Sequence, residues 1–379
     1  MSVFLREVRN YRLGELREAI ARGIDALGLD LSEKRTAFIK PNLVIAAKPK
    51  TAVITHPAVV EALVAELRDR GVADISMGDG PGVGLNVEQV FRVSGYERLA
   101  KRLGVELVNL NTAERRKHDW KYGELGVPAV VLDADLYVNV PKLKTHGYTT
   151  VTLSIKNHKG LLSEPDKKRD HQLGLHDPLA QHAGIRPPDL IVMDGITGVE
   201  GDGPLHGKVV RSRFFAMGTN MLEADFVAAR HMGFDPMAIE HLRIASELGL
   251  GDVDPETIGS APSREFEPAN EEFGRVANIY SWRDPTACSM CIDSFSGAVK
   301  LAVRSPRYWF TLVPKLGYWG VFGKLHIVQG KAAKLPCDSG RVVCLGQCTR
   351  KLAEEEGLTH LPGCPPSPEE VAETLRRKL

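Results

Sequence analysis

Helical and extended patterns of apolar residues alternate along the first 140 residues of the chain. Apolar positions recur at helical spacing from Leu13 to Leu27 and again in the segment that follows His56-Pro57. Short apolar runs typical of buried strands lie between and after them, at residues 36–40, 73–77, 105–108 and 134–140. This alternation predicts an α/β fold, in which helices flank a mostly parallel sheet in Rossmann-like layers.

The pattern changes character in the last third of the chain. Residues 149–240 still carry strand patterns, at 151–155, 190–193 and 209–217, and a helix at 220–232. Beyond Ser263 a mostly polar linker leads into a region with different composition. We therefore predict an α/β core over residues 1–262 and a C-terminal region over residues 263–379 that packs on it.

Basic side chains follow two neighbouring strand patterns. Lys142, Lys144 and His146 come directly after one strand, and Lys156 follows the next. Ligands of open parallel sheets bind beyond the carboxyl ends of the strands, and clustered cations need compensating negative charge. We expect a bound anion, such as a phosphate or a carboxylate, or neutralisation by acidic residues of the glycine-rich segment 194–204. The candidate catalytic residues are Lys142, Lys144, His146, Lys156, Asp194 and Glu200.

All six cysteines lie in the last quarter of the chain. Cys288 and Cys291 form a C-x-x-C pair, and with Cys348 and Cys364 they are candidate ligands of one iron-sulfur cluster, with 4Fe-4S fitting best. Structural zinc is the alternative, although 15 residues separate Cys348 from Cys364 and zinc ligands usually come as two short-spaced pairs. Two further cysteines are candidate extra ligands, Cys337 and Cys344.

Charge and hydropathy limit the partners. Lys and Arg total 49 against 48 Asp and Glu, so the net charge of +1 gives no field that would favour nucleic acid. The first residues turn charged at once, which is unlike a signal peptide, and no apolar run has the length of a membrane span, so we expect a cytoplasmic protein. Residues 295–334 are basic and aromatic and contain no acidic residue. This stretch is a candidate contact for an acidic electron carrier, a membrane surface or an anionic substrate.

Five ordered motifs resemble the family called "domain of unknown function 362". They are Lys40-Pro41-Asn42-Leu43, Gly78-Asp79-Gly80-Pro81, Val140-Pro141-Lys142-Leu143-Lys144-Thr145-His146, Thr152-Leu153-Ser154-Ile155-Lys156-Asn157, and Asp194-Gly195 with Gly201-Asp202-Gly203-Pro204. The resemblance implies a prokaryotic iron-sulfur protein. Many relatives carry an additional ferredoxin module, which this chain lacks. That departure leaves open how electrons arrive, and a ferredoxin-type protein is a candidate donor.

These observations predict an iron-sulfur oxidoreductase that reduces an anionic small molecule bound by the basic residues. Two alternatives remain open at this point. One is a non-catalytic protein for electron transfer or cluster sensing, and the other is an enzyme whose tail is folded by structural zinc.

Overall fold

The computed structural model describes residues 2–204, 207–269, 272–276, 278–283, 289–331, 333, 335 and 340–379. The chain divides into two compact units, which span residues 1–268 and 269–379 and are called unit 1 and unit 2 below.

Unit 1 is built on a sheet of ten strands, beside which two further strands form a separate hairpin. Its strands are β1 (Ser2–Glu7), β2 (Thr36–Pro41), β3 (Asp74–Asp79), β4 (Glu106–Asn109), β5 (Arg115–Trp120), β6 (Gly123–Pro128), β7 (Leu136–Val140), β8 (Lys142–His146), β9 (Thr150–Thr152), β10 (Leu190–Glu200), β11 (Lys208–Gly218) and β12 (Glu256–Ser260). The main path runs β12-β1-β11-β10-β7-β2-β3-β4, β8 pairs with both β10 and β9, and the hairpin is β5-β6. The pairs from β10 through β7, β2 and β3 to β4 are all parallel, whereas β11 is antiparallel to both β1 and β10.

Helices cover both faces of this sheet. They are α1 (Leu13–Ala26), α2 (Pro57–Asp69), α3 (Val87–Ser94), α4 (Tyr96–Leu103), α5 (Ala129–Leu132), α6 (Ser154–His158), α7 (Glu164–Leu173), α8 (His176–Ala183), α9 (Met221–His231) and α10 (Glu240–Glu247). Consecutive residues of β10 enter opposite cores, Val192 with the helices α1 and α2 and Met193 with α8 and α9. Successive side chains of a strand point to opposite faces, so a sheet buried on both sides has apolar residues throughout. The predicted α/β fold with a mostly parallel, helix-flanked sheet is confirmed.

Two segments differ from the sequence prediction. The strand expected at 151–155 ends at Thr152, and α6 begins at Ser154. The glycine-rich acidic segment that begins at Asp194 is part of β10, which continues to Glu200 and pairs with β11 across an irregularity between Gly195 and Thr197. Both differences arise because distant partners, and not local propensity, supply the hydrogen bonds of these segments.

Unit 2 has its own sheet and its own core. Its elements are β13 (Glu272–Val276), β14 (Ile279–Arg283), β15 (Leu325–Gln329), β16 (Arg341–Leu345), β17 (Thr359–Leu361), α11 (Ser289–Arg304), α12 (Pro306–Trp309), α13 (Val313–Val321), α14 (Arg350–Glu355) and α15 (Pro368–Lys378). The strand order is β13-β14-β15-β16-β17, and only the first pair is antiparallel. Buried residues of α11 and α15, including Ala298, Ala302, Val371 and Leu375, pack with Ile327 and Val343 of the sheet.

Candidate functional site

A buried ion pair joins the carboxyl ends of two neighbouring strands in unit 1. β2 and β3 run parallel, so their last residues meet at the same edge of the sheet. Lys40 Nζ lies 2.8 Å from Asp79 Oδ1, and both side chains are buried. Asp79 also accepts hydrogen bonds from the backbone N–H of Leu43 at 2.6 Å and of Gly80 at 2.9 Å. Burial lowers the pKa of Lys40, and the attraction of Asp79 opposes that shift.

A second buried ion pair joins β8 to β10. Lys142 Nζ lies 2.9 Å from Asp194 Oδ1, and neither side chain is exposed. The Tyr11 hydroxyl donates to the same carboxylate oxygen at 2.9 Å, and the backbone N–H of His56 donates to the other oxygen at 2.9 Å. Lys142 also donates to the Tyr11 hydroxyl at 3.1 Å and to the Thr197 hydroxyl at 3.3 Å. Asp194 is therefore the carboxylate that compensates Lys142, as the sequence suggested.

Lys144, two residues further along β8, forms no ion pair within the described residues, although the charge of Asp79 partly offsets the effect of its burial. Its ammonium donates to Asn42 Oδ1 at 2.8 Å and to the backbone carbonyl of Val53 at 2.7 Å, and both acceptors are neutral. The side chain is fully buried. Burial lowers the pKa of Lys144 well below its usual value, and the neighbouring cations Lys156 and Lys142 lower it further. Lys144 is thus a buried amine whose charged form is disfavoured.

Asparagine side chains connect Lys40 with Lys144. Asn42 Nδ2 donates to Asn157 Oδ1 at 2.8 Å, and Asn157 Nδ2 donates to Asn139 Oδ1 at 2.7 Å. Lys40 Nζ also lies 3.3 Å from Asn157 Oδ1. Asn42 therefore contacts Lys144 with its oxygen and Asn157 with its nitrogen, which fixes the direction of the chain of amides. We call Lys40, Asn42, Lys142, Lys144 and Asn157 the lysine–asparagine cluster.

Helix α6 positions Lys156 and Asn157 through a carboxylate from far along the sequence. Asp225 of α9 accepts hydrogen bonds from the backbone N–H groups of Ser154 at 2.7 Å and of Ile155 at 2.9 Å, and also contacts the Ser154 hydroxyl. Burial raises the pKa of Asp225 to about 7. Because Asp225 supplies the acceptor at the start of α6, the helix begins where the sequence pattern alone predicted a strand.

The remaining predicted residues of unit 1 have other contacts. His146 is buried at the end of β8, and its Nδ1 accepts from the backbone N–H groups of Tyr148 at 3.0 Å and Thr149 at 3.2 Å, so it stabilises the following turn. Glu200 ends β10 and forms an ion pair with Arg264 at 3.5 Å. The structure therefore joins Lys142 and Asp194 directly, while Glu200 is paired with an arginine outside the lysine–asparagine cluster.

A further buried lysine was not identified from the sequence. Lys167 of α7 donates to the carbonyls of Gly80 at 2.7 Å and Pro81 at 3.0 Å and to Asn111 Oδ1 at 2.6 Å. Burial lowers the pKa of Lys167 to about 7. Helix α7 carries a polar sequence with no signal that this lysine points inward, so only the tertiary structure reveals it. Asn42 and Asn157, in contrast, already lay inside the motifs that indicated the family.

In unit 2 three of the predicted ligand segments adjoin one another. Cys291 of α11 is buried, and a Cβ placed on Gly346 would lie 2.6 Å from its Sγ atom. The backbone N–H of Gln347 donates to the carbonyl of Gly363 at 2.7 Å, which holds the segments before Cys348 and Cys364 together. In the described residues no group of three or more His, Cys, Asp or Glu side chains has the arrangement of a metal site.

The remaining cysteines are Cys288, Cys337 and Cys344. Cys344 is fully buried on β16, and burial raises its pKa to about 11, so it is a thiol at neutral pH. Cys288 and Cys337 lie outside the described residues.

The fold and the lysine–asparagine cluster together define the class of protein. It is an α/β protein that buries amines and amides at the carboxyl edge of a mostly parallel sheet. The chain belongs to the family described as Domain of unknown function (DUF362), whose model matches residues 38–230. The resemblance drawn from the sequence motifs is thereby confirmed. All five residues of the cluster lie inside the matched range.

One curated protein and two solved structures are similar to this chain. A thylakoid-associated protein of Synechocystis sp. is 29% identical over 258 residues, which cover 66% of this chain and 80% of that protein. The lactate racemase apoprotein of Thermoanaerobacterium thermosaccharolyticum aligns with a TM-score of 0.40 at 11% identity, over 98% of this chain and 76% of that one. A Thermotoga maritima protein aligns with a TM-score of 0.43 at 11% identity, over 85% and 72% of the two chains. Of the helices that the structure describes, none has the length and apolar character that a membrane crossing requires.

Proposed function

We propose that this protein is a reductase, in which the lysine–asparagine cluster binds an anionic small molecule and an iron-sulfur cluster on unit 2 delivers electrons to it. The observation that carries the proposal is Lys144, a fully buried amine whose hydrogen-bond acceptors are an amide and a backbone carbonyl. An ammonium has three N–H donors, and these two acceptors use two of them. We propose that the ligand accepts a hydrogen bond from the third.

Electrostatics decides the kind of ligand. Desolvating an ammonium that lacks a countercharge costs several kcal/mol even after the protein relaxes. A carboxylate or a phosphate beside Lys144 offsets that cost, and hydrogen bonds between charged partners are about twice as strong as neutral ones. Lys142 contributes less, because Asp194 already compensates it. Lys156 adds positive charge near Lys144, which favours an anion in the same place.

The amine also has the properties of a proton-transfer group. Its pKa is lowered by burial and by neighbouring cations, and an amine with a lowered pKa releases its proton more readily than an exposed lysine. When an anion binds, its negative charge raises the pKa of Lys144 again. The ligand therefore promotes protonation of the group that contacts it, which suits a reduction that consumes protons.

The donor set of unit 2 fits a cluster. Cys288, Cys291, Cys348 and Cys364 are the residues that would hold it, and thiolates are the ligands that iron-sulfur clusters prefer. The contact of Cys291 with Gly346 and the hydrogen bond from Gln347 to Gly363 support this assignment, because they bring together the segments that carry three of these cysteines. A bound cluster supplies single electrons, so we propose a ferredoxin-type donor.

Anion binding is tested by titration calorimetry with inorganic phosphate and with succinate. We expect wild-type protein to bind at least one of them and Lys144→Gln to lose roughly tenfold or more in affinity. Lys101→Gln removes the same charge from an exposed position and is the matched control. Lys156→Gln, at a half-buried position, provides a second variant in case Lys144→Gln does not fold. Equal affinity in wild type, in Lys144→Gln and in Lys156→Gln would overturn the proposed site.

The redox part is tested on protein purified without oxygen. We expect a brown preparation with broad absorbance at roughly 400 nm, equal iron and sulfide, and a change in the paramagnetic resonance spectrum after dithionite. A colourless protein with one zinc per chain would replace the reductase with a zinc-stabilised enzyme. Coloured protein that binds a ferredoxin but turns over no acceptor would support the non-catalytic alternative.

A further inference from the structure

Helix α13 in unit 2 has its apolar face toward solvent. Its exposed positions Pro314, Gly317, Tyr318, Val321 and Phe322 follow the spacing i, i+3, i+4, i+7 and i+8, which places them on one side of the helix. Tyr318 is 56% exposed, Val321 63% and Phe322 80%. A helix on the surface of a protein in water normally turns charged or polar residues outward, whereas α13 has apolar residues on this face as well as on the side that packs in the core with Leu316.

The preceding helices extend the apolar surface. Trp309 at the end of α12 is 47% exposed, Phe310 directly after it is 77% exposed, and Val303 near the end of α11 is 53% exposed. Helices α11, α12 and α13 are in contact in sequence order. We call Trp309, Phe310, Tyr318, Val321 and Phe322 the aromatic face.

The charges around the aromatic face are positive. The sequence has no acidic residue between Asp293 and Asp338, and Arg304 and Arg307 of this stretch are exposed. Arg307 lies 5.5 Å from the centre of the Tyr308 ring and forms an ion pair with Glu373 of α15 at 3.2 Å. Glu373 also pairs with Arg376 and Arg377, so arginines outnumber the carboxylate three to one here.

We propose that the aromatic face docks the protein on the surface of a bilayer that contains anionic lipids. Exposed Trp and Tyr rings prefer the interface between headgroups and hydrocarbon, where phenylalanine and valine enter the apolar layer. The arginines at the margin are placed to contact lipid phosphates. An acidic protein partner would need cations across the centre of its contact, where this surface presents uncharged rings. The helices are far shorter than a membrane span, so the contact is peripheral.

The test is sedimentation of the full chain with phosphatidylcholine vesicles, with and without phosphatidylglycerol. We expect wild-type protein to sediment with the anionic vesicles, less so with neutral ones, and less as salt is raised. The double variant Phe310→Ser/Phe322→Ser should lose roughly tenfold in partition. The double variant Val209→Ser/Leu248→Ser removes exposed apolar residues of unit 1 and serves as control, with unchanged binding expected.

Two results would overturn the proposal. One is a wild-type protein that stays in the supernatant, or a Phe310→Ser/Phe322→Ser variant that sediments as wild type does. The other is a dimer in sedimentation velocity that the same double variant abolishes, because a second copy of the chain would then cover the aromatic face. Neither result affects the anion site, whose residues lie in unit 1.

Discussion

Proteins usually expose charged residues and bury apolar ones, and the two units depart from this distribution in opposite ways. Among the residues that the structure describes, unit 1 buries five lysines, Lys40, Lys142, Lys144, Lys159 and Lys167, whereas unit 2 exposes apolar side chains along a helix. Lysine is almost never fully buried without a partner, and contiguous exposed apolar surface is rare on monomeric proteins. Burying an uncompensated charge costs stability, and exposing a contiguous apolar surface favours association. The comparison therefore directs attention to a ligand in unit 1 and a surface partner in unit 2.

A comparison inside unit 1 separates structural from functional lysines. Lys40 and Lys142 each face a carboxylate at 2.8 and 2.9 Å, so their charges are compensated within the fold. Lys144 and Lys167 donate to neutral oxygens in the described contacts. Lys144 and Lys167 are therefore the lysines whose charge a bound anion or a change of pH can alter.

The largest effect is expected in unit 2, where Cys348→Ser and Cys364→Ser should each abolish the iron signal of anaerobically purified protein. On the proposed ligand set, each substitution would remove one of four thiolates and leave the cluster incomplete. Iron and sulfide analysis with absorbance measures the loss. Cys337→Ser should retain most of the iron, and an equal loss in all three variants would contradict the choice of ligands.

Breaking the Lys40–Asp79 pair should destabilise unit 1 strongly. Asp79→Asn leaves a buried ammonium without its carboxylate, and we expect the free energy of unfolding to fall by about 3–5 kcal/mol. Denaturant titration followed by circular dichroism measures this change. Asp69→Asn is the control, because Asp69 pairs with Arg17 at an exposed site, where the loss should be under about 1 kcal/mol. Similar losses in both variants would show that burial does not govern the strength of these pairs.

Lys167 should make stability rise with pH. Burial sets its pKa in the fold at about 7, while an unfolded lysine titrates near about 10.4. Between these values the unfolded chain binds more protons, so the free energy of unfolding should increase on the order of 4 kcal/mol as pH rises from about 7 to about 10.4. At and below about pH 7 Lys167 is protonated in both the folded and the unfolded chain, so this gain in the free energy of unfolding is absent. Unfolding measured across this window should give a flatter profile for Lys167→Met, and an unchanged slope would exclude Lys167 as the source.

The smallest effect is expected on the aromatic face. Phe322→Ser should change the free energy of unfolding by less than about 0.5 kcal/mol, because an exposed side chain loses little packing. Phe295→Ser removes most of a buried phenylalanine of the same unit and should lower the free energy of unfolding by about 3–5 kcal/mol. Thermal unfolding compares the two. A large loss for Phe322→Ser would mean that this ring stabilises the fold and is not held for a partner.

Sequence patterns located most of unit 1. The strand prediction at 36–40 became β2, and the helix predicted from Leu13 became α1, because both have apolar residues at the period of their own secondary structure. The basic residues after β7 were recognised as candidates, although the structure shows that Lys142–His146 is itself a strand. Asp225, Lys167 and Tyr11 were not recognised, since each acts across a long sequence separation and carries no local signal.

By itself the sequence determined the α/β class, the family and the residue types available for chemistry, because periodicity and motif spacing are local properties of the chain. Only the tertiary structure decided which lysines receive a carboxylate, since Lys142 meets Asp194 while Lys144, two residues away on the same strand, meets Asn42 and Val53. It also decided which apolar residues of α13 are buried, such as Leu316, and which are exposed, such as Tyr318 and Val321. Charge compensation and exposure depend on residues that are distant along the chain, and the free energy of burying a charge depends on those neighbours more than on the residue itself.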